Sequence, residues 1–321
     1  MRVLVTGATS LLGRTVTEQL LARGDDVTVF QRHSSDIDTR EILGDVSDGD
    51  VVARAAEGVD AVVHLAARVG VVGVWRQFER TNIMGTTNVI TAARSAGASR
   101  FVHVSSPAVA HAGVSLIGAG AGAANPNSAR GPYARSKAFA EHAALAANSS
   151  EMSVVAVRPH LVWGPGDTQL VGRIIERARQ GRLAIVGTGA SLIDSTYVDN
   201  AADALVAALD RADTVGGRAF VVSNGQPRPV RELINRIVLA AGLEPPSIAV
   251  PYRVARGGGL VLEKIWDRTE RTDDPPMTSF LAEQLGTAHW FDQRETREAL
   301  GWIPSVSLDE GFLRLAASFG S

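Results

Sequence analysis

The 321-residue chain has no cysteine, few aromatics (5%) and almost no net charge, and each shortage narrows what it can be. Without cysteine there are no disulfides, no thiolate nucleophile and no cysteine-ligated metal, and no other feature calls for a metal. With 34 acidic against 32 basic residues, the chain has no basic excess to meet a phosphate backbone, so nucleic acid is disfavoured as a partner. Long apolar runs are missing too, and no membrane span is expected. In Gly257 to Trp266 (GGGLVLEKIW), Glu263 and Lys264 break the run well before it could cross a bilayer. That stretch reads as a helix packed on its own domain, in preference to one lying on a membrane surface. Arg2-Val3-Leu4-Val5 follows the first residue with no basic region, longer apolar segment or cleavage site, so no signal peptide is read and a cytoplasmic setting is expected.

What is present is a 45% hydrophobic content, enough for a substantial core, arranged in alternating strand and helix patterns. Short β-branched runs at residues 3–5, 27–30, 61–65, 101–104 and 154–157 predict strands of an α/β fold, a doubly wound parallel sheet. Between the first two runs, Leu12, Val16 and Leu20 recur at helical spacing and Gly24 marks the helix end. After Pro159 the rhythm loosens. The turn at Trp163 to Asp167 suggests a boundary, with residues 1–165 as a dinucleotide-binding domain and 166–321 as a smaller, mainly substrate-binding region. In the second part an arginine-rich helix runs to Gln180, and a strand returning to the sheet is expected at 191–200.

Thr6 to Gly13 reads TGATSLLG between a predicted strand and a predicted helix. Glycines there let the backbone approach a pyrophosphate while the helix N-terminus offers N–H groups and partial positive charge. Gly7, Ser10, Leu11, Leu12 and Gly13 are therefore the candidate cradle. Tyr133 and Lys137 lie four apart on a predicted helix and share a face. An ammonium about 4 Å from a phenol contributes roughly 4 kcal/mol at an effective dielectric near 20, about three pKa units, so Lys137 is expected to bring Tyr133 down toward neutral pH.

These motifs together resemble the extended short-chain dehydrogenases, whose turn reads TGxxGxxG; Ser10 departs from that pattern, and re-shaped cofactor contact is expected there. The resemblance covers most of the chain. It implies a triad in which Ser106, in the strand end Val104-Ser105-Ser106, hydrogen-bonds the substrate oxygen while Tyr133 exchanges a proton and Lys137 also grips the nicotinamide ribose. Cofactor contacts implied by the same match are Asp45 and Val46 in the GDV turn, Leu65, Ala66 and Ala67 at a strand end, Asn82, and Pro159, His160 and Val162 beside the nicotinamide. His64 is read as a packing residue. NAD-preferring relatives carry an acid where this chain has Gln31, and Arg32 follows, so NADP is preferred over NAD.

Arg158 to Asp167 and Pro275 to Asp292 look like the branch containing 3β-hydroxysteroid dehydrogenases and bacterial 2-alkyl-3-oxoalkanoate reductases. The implied activity is hydride transfer between the cofactor and a secondary alcohol or ketone of a hydrophobic substrate, with a nucleotide-sugar epimerase or a non-catalytic redox sensor as alternatives. Epimerases commonly carry an arginine where Ile193 precedes Asp194, and an isoleucine cannot neutralise a diphosphate. The small, apolar run from Ser115 to Asn127 suits a flexible lid or a plain loop. Relatives dimerise through helices matching Trp75 to Ala96 and Gly131 to Ala147, so a homodimer is expected.

Overall fold

Valine-rich runs buried on both faces make the central layer of the computed structural model, which describes residues 1–70, 73–110, 113–269 and 275–320. The first half runs β1 (Arg2–Thr6), α1 (Leu11–Ala22), β2 (Asp26–Gln31), β3 (Arg40–Leu43), α2 (Gly49–Ala55), β4 (Ala61–His64), α3 (Trp75–Phe78), α4 (Gly85–Ser95), β5 (Arg100–Val104), β6 (Leu116–Ala119), α5 (Gly131–Ala146) and β7 (Ser153–Pro159). Next come β8 (Val162–Trp163), α6 (Val171–Arg179), β9 (Ile185–Val186), β10 (Leu192–Ile193), β11 (Thr196–Tyr197), α7 (Val198–Asp210), α8 (Ala212–Val215) and β12 (Ala219–Val222). The chain closes with β13 (Arg228–Pro229), α9 (Val230–Ala240), β14 (Ala249–Val250), α10 (Tyr252–Thr269), α11 (Ser279–Gly286), β15 (His289–Phe291), α12 (Arg294–Leu300) and α13 (Leu308–Ala317).

Seven strands pair in the order β12-β7-β5-β4-β1-β2-β3, every pairing parallel. Alternate residues serve opposite faces. Val3 and Val5 pack with Val16 and Leu20 of α1 and Leu205 of α7, whereas Leu4 packs with Val52 of α2 and Val89 of α4. The strand order reverses beside β1, and that reversal opens a crevice at the carboxyl ends of the strands. A third cluster, including Trp163, Ile175, Ile193, Ile237 and Phe312, joins α6, α9 and α13 into the smaller region.

The strand expected at 191–200 does not return to the large sheet. It splits into β10, which pairs with β13 and β15, and β11, which pairs with β8. The break falls at Asp194 and Ser195, where the buried Asp194 carboxylate accepts hydrogen bonds from Phe291 N and Ser223 Oγ, both at 3.0 Å. The edge after β7 is instead β12. Part of the run read as a flexible lid or a plain loop is a strand instead, because β6 pairs with β15. Helix α10 buries Ala255 against Val186 and Ala282 and leaves Leu260 and Val261 exposed. Among the described residues no helix is long and apolar enough to cross a membrane.

Candidate active site

The turn after β1 is shaped by contacts that only glycine allows. Gly7 sits at φ +82, and a Cβ there would lie 2.9 Å from the Ala66 amide nitrogen. At Gly13 a Cβ would lie 2.3 Å from the Gly7 carbonyl oxygen, so the helix could not seat against the strand. Ser10 has φ −78 and needs no left-handed backbone. Its hydroxyl accepts from Gly13 N at 3.1 Å and donates to Gly7 O at 2.9 Å, which makes it the N-cap of α1. The departure from the glycine pattern therefore closes the turn from within, while the first-turn amides of Leu11 and Leu12 have no acceptor inside the helix.

A groove of ≈ 530 Å³ runs from this turn along the sheet crest. Gly7, Ser10 and Leu12 line one end, with Gln31, Arg32, Asp45 and Val46 beside them. Leu65, Ala66 and Ala67 form the floor, and Pro159, Val162, Ser106, Tyr133 and Lys137 close the far end. Four expected contacts stand elsewhere. Leu11 packs against the cluster of the smaller region and Gly13 against the turn itself; Asn82 is buried behind the groove, where its amide accepts from Arg68 N (2.7 Å) and donates to Ser136 Oγ (2.8 Å). His160 lines the neighbouring pocket and not the groove. Leu161 lines both and holds φ +44, a strained setting that sequence patterns do not reveal.

At the end lined by Arg32 and Asp45, Gln31 is buried and committed: its Nε2 donates to Glu41 Oε1 at 2.6 Å. Backbone and hydroxyl hydrogen bonds, Ser35 N first, hold Glu41 down to about 2, and its carboxylate does not line the groove. Arg32 is exposed at the rim. Burial pushes the Asp45 carboxyl up, but the Ser47 hydrogen bonds together with Arg80 and Arg32 more than offset it and hold it below the usual carboxylate range.

At the other end Tyr133, in the first turn of α5, and Ser106 line the groove and the neighbouring pocket together, whereas Ser105 is buried. Burial pushes the Tyr133 phenol up, and the neighbouring Ser106 side chain pulls it only part of the way back. This corrects the expectation of a phenol lowered by Lys137. Desolvation dominates here: burial also brings Lys137 down to about 8, and its Nζ donates to Val104 O at 2.6 Å. His64, bonded to Thr6 and Thr86, is a buried packing group, held to about 3 by burial and then by Lys137. A second pocket of ≈ 340 Å³ opens beside Ser106 and Tyr133, walled by side chains such as Leu170, Ile174, Ile193, Leu233 and Phe291. Sequence reading missed its members Arg173, Arg177 and His289, which carry no signal beyond an arginine-rich helix and the late branch motif.

The model of the NAD dependent epimerase/dehydratase family matches residues 3–223. The chain belongs to that family. A 2-alkyl-3-oxoalkanoate reductase of Stenotrophomonas maltophilia (strain K279a) is 41% identical to it over 99% of both chains. The human sterol-4-alpha-carboxylate 3-dehydrogenase, decarboxylating, is 32% identical, over 99% of this chain and 88% of its own. Among solved structures, MoeE5 in complex with UDP-glucose and NAD superposes with a TM-score of 0.75 at 25% identity, covering 99% of this chain and 98% of that one. The chain is thus an extended short-chain dehydrogenase/reductase, an NAD(P)-dependent oxidoreductase. The residues present fit a nicotinamide dinucleotide: a positive-φ glycine pressed on Ala66, a capped helix N-terminus and a groove reaching Tyr133.

Proposed function

We propose that this enzyme moves hydride between NADP(H) and a secondary alcohol or ketone on a hydrophobic molecule of the 2-alkyl-3-oxo acid or 3β-hydroxysteroid type. The observation that carries the reading is the position of Tyr133, which lines the groove and the apolar pocket together, as Ser106 does. In this reading Ser106 holds the substrate oxygen, Tyr133 exchanges a proton with it and Lys137 steadies the ribose end of the cofactor. The dinucleotide supplies or accepts the hydride when bound. Ile193 stands in the pocket wall at the position where epimerases commonly carry an arginine, and that disfavours the epimerase alternative.

Residues 1–165 hold the cofactor and residues 166–321 mainly shape the substrate pocket. Exposed Arg32, with Gln31 neutral and Glu41 turned away, favours a 2′-phosphate. We also propose a cytoplasmic homodimer, supported by exposed Met84 and Phe139 on the helices expected to pair. The test is fluorescence titration of NADPH and NADH, with ketone turnover followed on the same samples. NADPH should bind more tightly, and Arg32→Ala should remove the preference. Tighter NADH binding that the substitution leaves unchanged overturns the cofactor choice, and no hydride transfer to any long-chain ketone or 3-oxosteroid overturns the activity.

A further inference from the structure

His103 is fully buried on β5, one residue before Val104, whose carbonyl oxygen takes the Lys137 ammonium. Its Nε2 lies 3.5 Å from Lys137 Nζ. Its Nδ1 has no hydrogen-bond partner among the described residues. The neighbouring His64, with ring centroids 5.6 Å apart, differs: both its nitrogens meet threonine hydroxyls, Thr6 at 2.7 Å and Thr86 at 3.0 Å. A buried imidazole with an orphaned nitrogen costs free energy that a leucine of similar bulk would not. Packing therefore accounts for His64 and leaves His103 unexplained.

The lysine supplies the explanation. An ammonium has three N–H donors and no acceptor. Val104 O takes one at 2.6 Å, and a neutral His103 with its proton on Nδ1 offers the Nε2 lone pair to a second. The tetrahedral nitrogen then has a third donor for the groove, which Lys137 lines. The surroundings keep this imidazole neutral: burial first, then Lys137 and His64, hold His103 well below its ordinary value, and His64 is itself held to about 3. From α5, Glu141 favours the charged lysine by attraction, and Glu141 is paired with the buried Arg158 of β7.

Resting on the reductase reading above for its effect on turnover, we infer that His103 is a positioning residue: with Val104 O it fixes two donors of the Lys137 ammonium and so directs the third into the cofactor groove. It touches no reacting atom. Without its acceptor the buried cation keeps one fixed partner, which disfavours the charged form and frees the side chain to turn.

Two measurements test this. In ¹⁵N NMR of the full chain, the His103 signal, assigned by its loss in His103→Gln, should show the Nδ1–H tautomer. Its Nε2 resonance should move as pH passes about 8, the value to which burial brings Lys137, and Lys137→Met should abolish the movement. An Nε2–H tautomer, or a resonance that does not follow Lys137, overturns the proposal.

The second measurement is the pH profile of kcat/KM. Tyr133 is pushed above its ordinary 10.0, so the alkaline limb belongs to Lys137. His103→Leu should keep the melting temperature and move that limb down by about one pH unit. His103→Gln, whose carbonyl oxygen can take the place of Nε2, should restore most of the shift. A limb that stays put in His103→Leu is the result for a histidine that only packs, and it overturns the proposal. Absence of turnover defeats the reductase reading alone, because the tautomer and its coupling to Lys137 are read without substrate.

Discussion

Lys137 Nζ donates to the Val104 carbonyl oxygen at 2.6 Å, which ties α5 to the strand end that continues into Ser105 and Ser106. The same bond keeps the lysine beside His103, whose Nε2 is 3.5 Å away. The helix bearing Tyr133 and the strand end bearing Ser106 are thereby held in register before any ligand arrives.

With that register set by Lys137, the phenol of Tyr133 is dispensable for the fold. Tyr133→Phe should retain the melting temperature and cofactor affinity to within about twofold while turnover falls roughly 10²–10⁴-fold, the usual contribution of a general acid. Steady-state rates beside a cofactor titration decide it; undiminished turnover contradicts the assigned role.

Burial of Lys137 gives a pH signature. Its value falls from 10.5 in the free side chain to about 8, so between those limits the folded state binds fewer protons than the unfolded state. Stability contributed by this group therefore rises as pH climbs from about 8 to 10.5, and the cost of burying the charge is fully present below 8. Lys137→Met should abolish that slope, so the parent gains on the variant in melting scans across this range. Parallel profiles would show that the lysine is already well solvated.

His64 and His103 act in the acid range. Burial holds His64 near 3 and His103 well below the ordinary 6.5, with Lys137 adding to both, so each is neutral in the folded protein. The unfolded chain takes up protons first, and stability falls as pH drops from about 6.5 toward 3. Denaturant midpoints should begin to decline near pH 6, before most carboxylates titrate. A flat profile down to pH 4.5 would rule out this contribution.

The turn makes a sharper pair of tests. Ser10→Ala removes an N-cap whose hydroxyl is used inside the turn, and should cost about 1 kcal/mol of stability with little change in cofactor affinity. Gly13→Ala must push a methyl against the Gly7 carbonyl, and should cost about 1–3 kcal/mol and weaken cofactor binding as the turn shifts. Chemical denaturation with NADPH titration separates the two, and a larger loss of affinity in Ser10→Ala would mean that its hydroxyl serves the ligand.

The amino-acid sequence by itself determined the large sheet's predicted strands, α1 and the glycine turn, because period-two valine runs, helical spacing and positive-φ glycines act over a few neighbours. It also placed Ser106, Tyr133 and Lys137 in one reading, through local motifs. Only the tertiary structure decided which short strand completes the sheet after β7, since β10, β11 and β12 are short apolar stretches distinguished by their distant partners. It likewise reversed the expected direction of the Tyr133 shift, turned Gln31 onto Glu41 and aimed Arg173 into the pocket. Each of these depends on how much water is removed and which remote group is brought near, and neither quantity is written in residue spacing.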